Sequence, residues 1–214
     1  MNVSPWKNTS AAFKAQIIGK LLGDGCITIQ QGRKPRFQFI HTSADFAWSN
    51  YCFHQFKKEI PLNPPKFRKI FDNRSVKGFS TSHYTQSRTS PIISYLRKQW
   101  YSNNRKEIPS SLLYTYFIRQ SLAWWYMDDG HLKIVNGIPT KIILSTESFS
   151  EQENMLLIAF LEQKYGLVFK TDKQNRIILY DQFQIRYFLF LINPYMQTCM
   201  YRKTITTFYR EFDT

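Results

Sequence analysis

Apolar and polar positions along the chain switch between a helical period and an alternating one. Phe13 to Leu22 (FKAQIIGKLL) is an apolar helical run with Ser10 as its expected N-cap, and it closes on Gly23-Asp24-Gly25. From Cys26 the period falls to two: Ile27 and Ile29 face one way, Thr28 and Gln30 the other, and Phe37 and Phe39 oppose Arg36 and Gln38. Gln31-Gly32-Arg33-Lys34 reads as the hairpin turn between them. Ser43 to Ile60 returns to helical spacing, with Phe46, Ala47, Tyr51 and Phe56 as its expected apolar face and Pro61 as its stop. A second strand pair is predicted over Lys66–Phe71 and Val76–Tyr84, turning at Asp72-Asn73-Arg74, then a short helix over Thr89–Tyr101.

Ser102 to Pro109 breaks the pattern, and the same order then recurs. Tyr116 to Tyr126, apolar and aromatic apart from Arg119 and Gln120, predicts a mostly buried helix ending at Asp128-Asp129-Gly130. Gly130 is expected just past the helix end, where positive φ is required. Strands follow over His131–Val135 and Lys141–Thr146 around an Asn136-Gly137 turn, and a helix over Ser150–Tyr165 ends at Gly166. Strands around Val168–Lys170 and Arg176–Tyr180 precede a helix near Gln182–Ile192, stopped by Asn193-Pro194.

Superposing the last glycines lays Ile17–Gly25 over Leu122–Gly130. Asp24 and Asp129 are 129 − 24 = 105 positions apart in a chain of 214, close to half its length, which is the mark of an internal duplication. The expected fold class is α+β: two pseudo-symmetric αββαββα halves, residues 1–101 and 116–214, joined by a linker over 102–115. Their antiparallel strands form a saddle, and the two motif helices pack at the interface. Gly19 and Gly23 lie four apart on one helical face and permit close approach of Trp124 and Asp128. Asp24 and Asp129 then emerge together where both helix dipoles are already negative. Two carboxylates so placed repel unless divalent metal ions lie between them, and such metal pairs drive in-line phosphoryl displacement.

Composition turns this toward nucleic acid. Lys and Arg number 29 against 15 acids, a net charge of +14, and no acid occurs from Cys26 to Thr42. Three cysteines without CxxC spacing and four ungrouped histidines argue against a disulfide framework and a zinc finger. The N-terminal residues lack the apolar core of a signal peptide, and no 18-residue apolar run exists, so a reducing, internal compartment and no membrane contact are expected. Antiparallel ribbons fit the major groove, where Arg reads guanine and Gln reads adenine. The candidate DNA contacts are Thr28, Gln30, Arg33, Lys34, Arg36 and Gln38 on the first hairpin, and Lys66, Arg68, Arg74 and Lys77 on the second. In the other half they are His131, Lys133, Lys141, Lys170, Lys173 and Arg176.

IIGKLLGDG and LAWWYMDDG, their spacing and the αββαββα order resemble a single-chain, two-motif LAGLIDADG homing endonuclease over nearly the whole chain. The second motif with STESFS at Ser145–Ser150 is similar to the branch encoded in mobile introns of organelles. That resemblance implies a monomeric, Mg²⁺-dependent endodeoxyribonuclease making a staggered cut in a long duplex target. It implies Asp24 and Asp129 as catalytic, metal-binding acids sharing two or three divalent ions, with the carbonyls of Gly23 and Asp128 as auxiliary ligands. Lys106 and Lys203 match the two lysines of the family's site. Arg202 stands where a tyrosine is usual, which leaves open whether Arg202 or Lys203 enters the site; Lys20 and Leu22 are the departures in the first motif. The same fold also carries intron maturases, which bind the host intron RNA, and non-catalytic transcription regulators. A mitochondrion or chloroplast is the implied location, with a bacterial or phage origin also open.

Duplex affinity is expected to fall steeply with salt, because binding a surface of net charge +14 releases phosphate counterions. With about 6–10 phosphates neutralised, the loss between about 50 and 200 mM salt is on the order of 10³–10⁵-fold. Fluorescence anisotropy across that range measures it, and a flat titration would remove the basic-surface argument.

Overall fold

The structure, a computed structural model, describes residues 5–71, 73 and 76–205. Helix α1 (Ala11–Leu22) starts at Ser10, whose hydroxyl accepts the Phe13 N–H at 3.1 Å. Strands β1 (Cys26–Thr28) and β2 (Arg36–Thr42) follow, then a 3-10 turn and helix α2 (Phe46–Phe56). Strands β3 (Lys66–Phe71) and β4 (Phe79–Gln86) and helix α3 (Pro91–Trp100) complete the first unit. A small ribbon, β5 (Tyr101–Ser102) and β6 (Arg105–Lys106), leads to helix α4 (Ser110–Tyr116). The second unit runs through α5 (Arg119–Asp129), β7 (Gly130–Val135), β8 (Ile138–Leu144), α6 (Glu151–Tyr165), β9 (Lys170–Thr171), β10 (Ile177–Leu179) and α7 (Gln182–Ile192).

The two units share one topology. Each builds a four-stranded antiparallel sheet, in the orders β1-β2-β4-β3 and β7-β8-β10-β9. The duplicated αββαββα order and the α+β class are therefore as expected. Ile27, Phe37 and Phe39 turn inward from the first sheet, and Leu132, Ile142, Leu144, Ile177 and Leu179 from the second. These join α1 and α5 in a single apolar cluster, and α1 packs lengthwise on α5. Asn136 and Gly137 both take positive φ (51° and 76°), the two-residue hairpin geometry expected between β7 and β8, and Gly166 caps α6 at φ 69°. No described helix is long and apolar enough to cross a membrane.

Several expectations give way to packing. Ile29 lies past the end of β1 and is exposed, because the strand stops at Thr28. In α2 the buried stripe is Trp48, Ser49, Cys52 and Phe56, whereas Phe46 and Ala47 face outward. Trp48 and Cys52 fill the space that Phe46 and Ala47 were expected to occupy, one helical step around. Strand β4 begins at Phe79 rather than Val76, which is fully exposed. Residues 102–115 hold most of the β5–β6 ribbon, turned by Asn103 and Asn104 at φ 47° and 63°, and most of helix α4. Arg74 lies outside the described residues.

Gly130 does not take positive φ: it is extended, at φ −80° and ψ 145°. Close approach is what demands glycine there, since a Cβ would sit 2.0 Å from the Tyr126 ring. Gly19 is a second such position, where a Cβ would lie 2.4 Å from the Ser121 carbonyl oxygen and 2.8 Å from Trp124 Cβ. Gly19→Ala is expected to destabilise the protein by about 3 kcal/mol, the upper part of the overpacking range, because backbone must move. Gly137→Ala meets open space and only the left-handed backbone opposes it, costing about 1 kcal/mol. Urea denaturation of the two variants checks the order, and equal losses would contradict the close helix contact.

Candidate active site

Helices α1 and α5 touch backbone to backbone. At Gly23 a Cβ would fall 2.6 Å from Asp128 Cβ, so the last turns of both helices arrive side by side. Asp129 is the last residue of α5, while Asp24 lies just beyond the Gly23 cap of α1. Their electrostatics show that they share one field. Burial first, then the Asp128 charge, pushes the Asp24 carboxyl up to about 7, against the opposing charges of Lys20, Lys203 and Lys106. Burial first, then Asp24 and Asp128, pushes Asp129 up to about 8. Among the described residues the Asp129 carboxylate accepts no hydrogen bond. The Asp24 side chain keeps 34% of its surface exposed, and its Oδ2 lies 3.5 Å from His41 Nε2.

Three of the expected basic and carbonyl positions converge here. Lys106, on β6, donates to the Gly25 carbonyl at 2.9 Å, and burial pulls its ammonium down to about 8. Lys203 donates to the carbonyls of Met127 (2.7 Å) and Asp128 (2.8 Å), so it caps the negative end of α5; burial lowers its pKa. Arg202 turns away and pairs with Asp45 at 2.6 Å. Of the two residues left open by the sequence, Lys203 is the one beside the motif. The Asp128 carbonyl already accepts that lysine, and Gly23 is the α1 cap, bonded through its N–H to Gly19 at 3.1 Å.

The Asp128 side chain goes elsewhere. It crosses from α5 into the first unit, where its Oδ1 accepts Lys20 Nζ at 2.6 Å and Trp48 Nε1 at 2.8 Å, and its Oδ2 accepts the Asp24 N–H at 3.2 Å. Lys20 and Asp128 are both fully buried. Burial opposes the Asp128 charge, but Lys20 and the His41 hydrogen bond outweigh it and hold the carboxyl well below the usual range. Burial opposes the Lys20 charge, but the charges of Asp128, Cys52 and Asp24 and the Asp128 hydrogen bond together outweigh it and raise its pKa. His41 Nε2 lies 3.0 Å from Lys20 Nζ, and burial followed by the Lys20 charge lowers its pKa. Asp24, His41 and Asp128 bring one potential ligand atom each within 4.8 Å of one another, a spacing that can hold a metal ion. Lys20 Nζ already sits against two of those three residues, which leaves Asp24 and Asp129 as the uncommitted oxygen donors. Lys20, His41 and Trp48 are missing from the sequence-derived site. Their signals were a charge on an apolar helix face and a histidine continuing the inward alternation Phe37, Phe39, His41.

The expected DNA contacts are distributed over the outer sheet faces. Thr28, Gln30, Arg33, Lys34 and Arg36 line one concavity of about 240 Å³ together with Tyr84 and Gln86, which sequence reasoning missed. Gln38 Oε1 accepts Tyr84 Oη and Gln86 Nε2, both at 3.2 Å, and Arg36 donates to Gln86 at 3.3 Å. Lys66 and Arg68 stand opposite Tyr84 and Ser82 in the register, on that same face, and Lys77 is in the turn before β4. In the second unit His131 and Lys133 alternate with Leu132, and Lys133 faces Lys141. Lys170 pairs with Ile178 at the sheet edge, and Lys173 is in the following turn. Arg176 is tied to Asp172 by two bonds of 2.6 and 2.9 Å. At the centre of this second outer face lie Ile143 and Ile178, directly paired and buried.

Comparison with known proteins identifies the family and the fold. The model of the LAGLIDADG DNA endonuclease family matches residues 14–192. DNA endonuclease I-ChuI of Chlamydomonas applanata is 28% identical over 205 residues, covering 87% of this chain and 91% of the endonuclease. Cytochrome b mRNA maturase bI2 of Debaryomyces hansenii is 27% identical over 174 residues, covering 78% of this chain and 62% of the maturase. The solved structure of homing endonuclease I-WcaI bound to its DNA recognition sequence superposes with a TM-score of 0.79 at 25% identity, covering 91% of this chain and 86% of that one.

The paired acids set a pH dependence. The folded site favours protonated Asp24 and Asp129, so in chelator each stabilises the fold fully below its ordinary value of 3.8. That stabilisation is lost as pH rises through about 7 and about 8. His41, lowered from 6.5, acts in the opposite sense only up to that value, and Lys106 begins to lose its proton only near about 8. Metal-free melting temperature is therefore expected to fall from about pH 6.5 to about pH 8. Mg²⁺ should flatten the fall by displacing the protons, and Asp129→Asn should remove most of it. A melting temperature that rises across this window in chelator would refute the paired-acid description.

Proposed function

Because the chain belongs to the LAGLIDADG DNA endonuclease family, in its single-chain two-motif form, we propose that it is a monomeric homing endonuclease cutting both strands of a long duplex DNA site with a stagger. Mg²⁺ is the proposed cofactor, and Asp24 and Asp129 are the proposed catalytic acids. The observation that carries this reading is the pair of carboxylates at the ends of two touching helices, both pushed up, Asp24 by burial and the Asp128 charge and Asp129 by burial and the charges of Asp24 and Asp128. Such uncompensated hard oxygen donors fit divalent ions, with the carbonyls of Gly23 and Asp128 alongside. Bound there, the ions would supply the Lewis acid that activates water and stabilises the leaving oxygen.

The chain's own residues do the rest. Asp24 and Asp129 place the oxygen donors that would hold those ions at one level, one for each strand, because their helices end side by side. Lys106 and Lys203 keep positive charge beside the acids, where a phosphate gains charge during displacement. Lys106, at about 8, can also take up or release a proton near neutral pH. The Arg36, Gln38, Tyr84 and Gln86 cluster supplies donors and acceptors for base edges, and the lysines of both sheets supply phosphate contacts. The likeness to an mRNA maturase supports a second activity, binding of the host intron RNA. A splicing assay on that intron tests it separately. An organelle is the proposed location, following the resemblance to organellar intron enzymes.

Incubation with Mg²⁺ and a randomised plasmid library, followed by sequencing of cut ends, identifies the target. On that target Asp24→Asn and Asp129→Asn are each expected to slow double-strand cleavage by about 10²-fold or more, the weight of several kcal/mol of lost metal-held charge stabilisation. Binding in Ca²⁺ should persist or tighten, since each change removes repulsion of the phosphates. If both variants cut both strands at the wild-type rate, the active site lies elsewhere.

A further inference from the structure

Apart from the aligned Asp24 and Asp129, the two motifs contain two charged residues, Lys20 and Asp128, and these find each other across the interface between halves. Superposition of the motifs puts Lys20 opposite Trp125 and Asp128 opposite Gly23. Both members of the pair thus break the pseudo-symmetry, and Trp125, fully buried, shows that the fold accepts an apolar residue at the lysine's position. A buried ion pair is often no more stabilising than apolar residues of the same volume, so stability alone does not account for it. What it does locally is specific. Helix α1 ends at Leu22, leaving Asp24 off the helix, whereas Asp129 is still inside α5. The Asp24 N–H therefore takes its acceptor from outside, and that acceptor is Asp128 Oδ2 at 3.2 Å. The other oxygen of the same carboxylate is pinned by Lys20 and Trp48.

We propose that Lys20 is a positioning residue: its buried ammonium, with Trp48, locks the Asp128 carboxylate across the half interface, and Asp128 in turn holds Asp24 through its backbone N–H. The ammonium is itself fixed by His41 Nε2 at 3.0 Å and by the faces of Phe39 and Trp48, each 4.9 Å away. The device serves one half only. Asp24, and hence one DNA strand, is held by it through a hydrogen bond, whereas Asp129, inside α5, feels only the Asp128 charge. This inference rests on the reading of Asp24 as a catalytic acid.

The test is the variant Lys20→Met with Asp128→Asn, beside each single change. Either single change leaves one buried charge uncompensated and should lower the metal-free melting temperature; the double variant removes both charges and should recover most of the loss. The amide introduced by Asp128→Asn offers one acceptor oxygen where the carboxylate offers two, so Trp48 and the Asp24 N–H compete for it. The Asp24 amide proton resonance in metal-free protein is then expected to move upfield. With Mg²⁺ and supercoiled plasmid carrying the selected target, one strand should be cut about 10- to 100-fold more slowly, so that nicked plasmid accumulates while binding in Ca²⁺ is retained. A folded double variant that cuts both strands at wild-type rates with an unmoved Asp24 amide overturns the proposal. If the double variant does not fold, Trp48→Phe decides in its place, with the same strand bias expected at smaller amplitude and equal strand rates overturning it. Failure of the wild-type protein to cut any selected DNA would instead overturn the endonuclease reading, and the amide shift would still decide whether Asp128 holds Asp24.

Discussion

The contact between α1 and α5 is what the rest of the molecule depends on. Two helices normally keep about 8–10 Å between their axes because side chains intervene. Here glycine at 19 and 23 removes the side chains of one partner, and Ser121, Trp124 and Asp128 of the other fill the space down to backbone distance. The contact merges the cores of the two units into one cluster and brings the ends of both helices side by side. Any chemistry at those ends inherits its geometry from this close approach.

Closeness has an electrostatic consequence. Three aspartates meet at two negative helix ends, and the chain answers each differently. Asp128 is neutralised by a buried lysine, and the backbone carbonyls of the α5 terminus are covered by Lys203. Among the described residues Asp24 and Asp129 make no ion pair with a lysine or arginine, and burial and the neighbouring acids outweigh the more distant Lys106 and Lys203, so their carboxyls rise to about 7 and about 8. Compensating one acid and not the other two is what turns a crowded helix junction into a place suited to divalent ions.

The duplicated halves have also diverged on their outer faces. The first sheet presents a bonded cluster of Arg36, Gln38, Tyr84 and Gln86, rich in donors and acceptors. The second places Ile143 against Ile178 at the corresponding centre, and ties Arg176 to Asp172. The bonded cluster of side-chain donors and acceptors therefore lies on the first half, although both halves share one strand order.

Much of this was legible in the chain. The period switches located the helices and strands, the repeated acid-glycine ends exposed the duplication, and Gly19 and Gly23 announced the close helix pair, because each signal is local or repeats at a fixed spacing. What stayed hidden required the third dimension. Periodicity put Phe46 and Ala47 inside α2, but the space beneath that helix fits Trp48 and Cys52 one step around. Gly130 was read as a left-handed cap, yet its backbone is extended and only the Tyr126 ring excludes a side chain. Tyr84 and Gln86 joined the outer cluster through strand pairing across 46 and 48 positions. Lys20 and Asp128 stand 108 residues apart, and no local pattern says that one would neutralise the other. The sequence determined which segments fold and that two acids lie at equivalent ends; which charges are cancelled there was decided by side chains that meet only after the helices have packed.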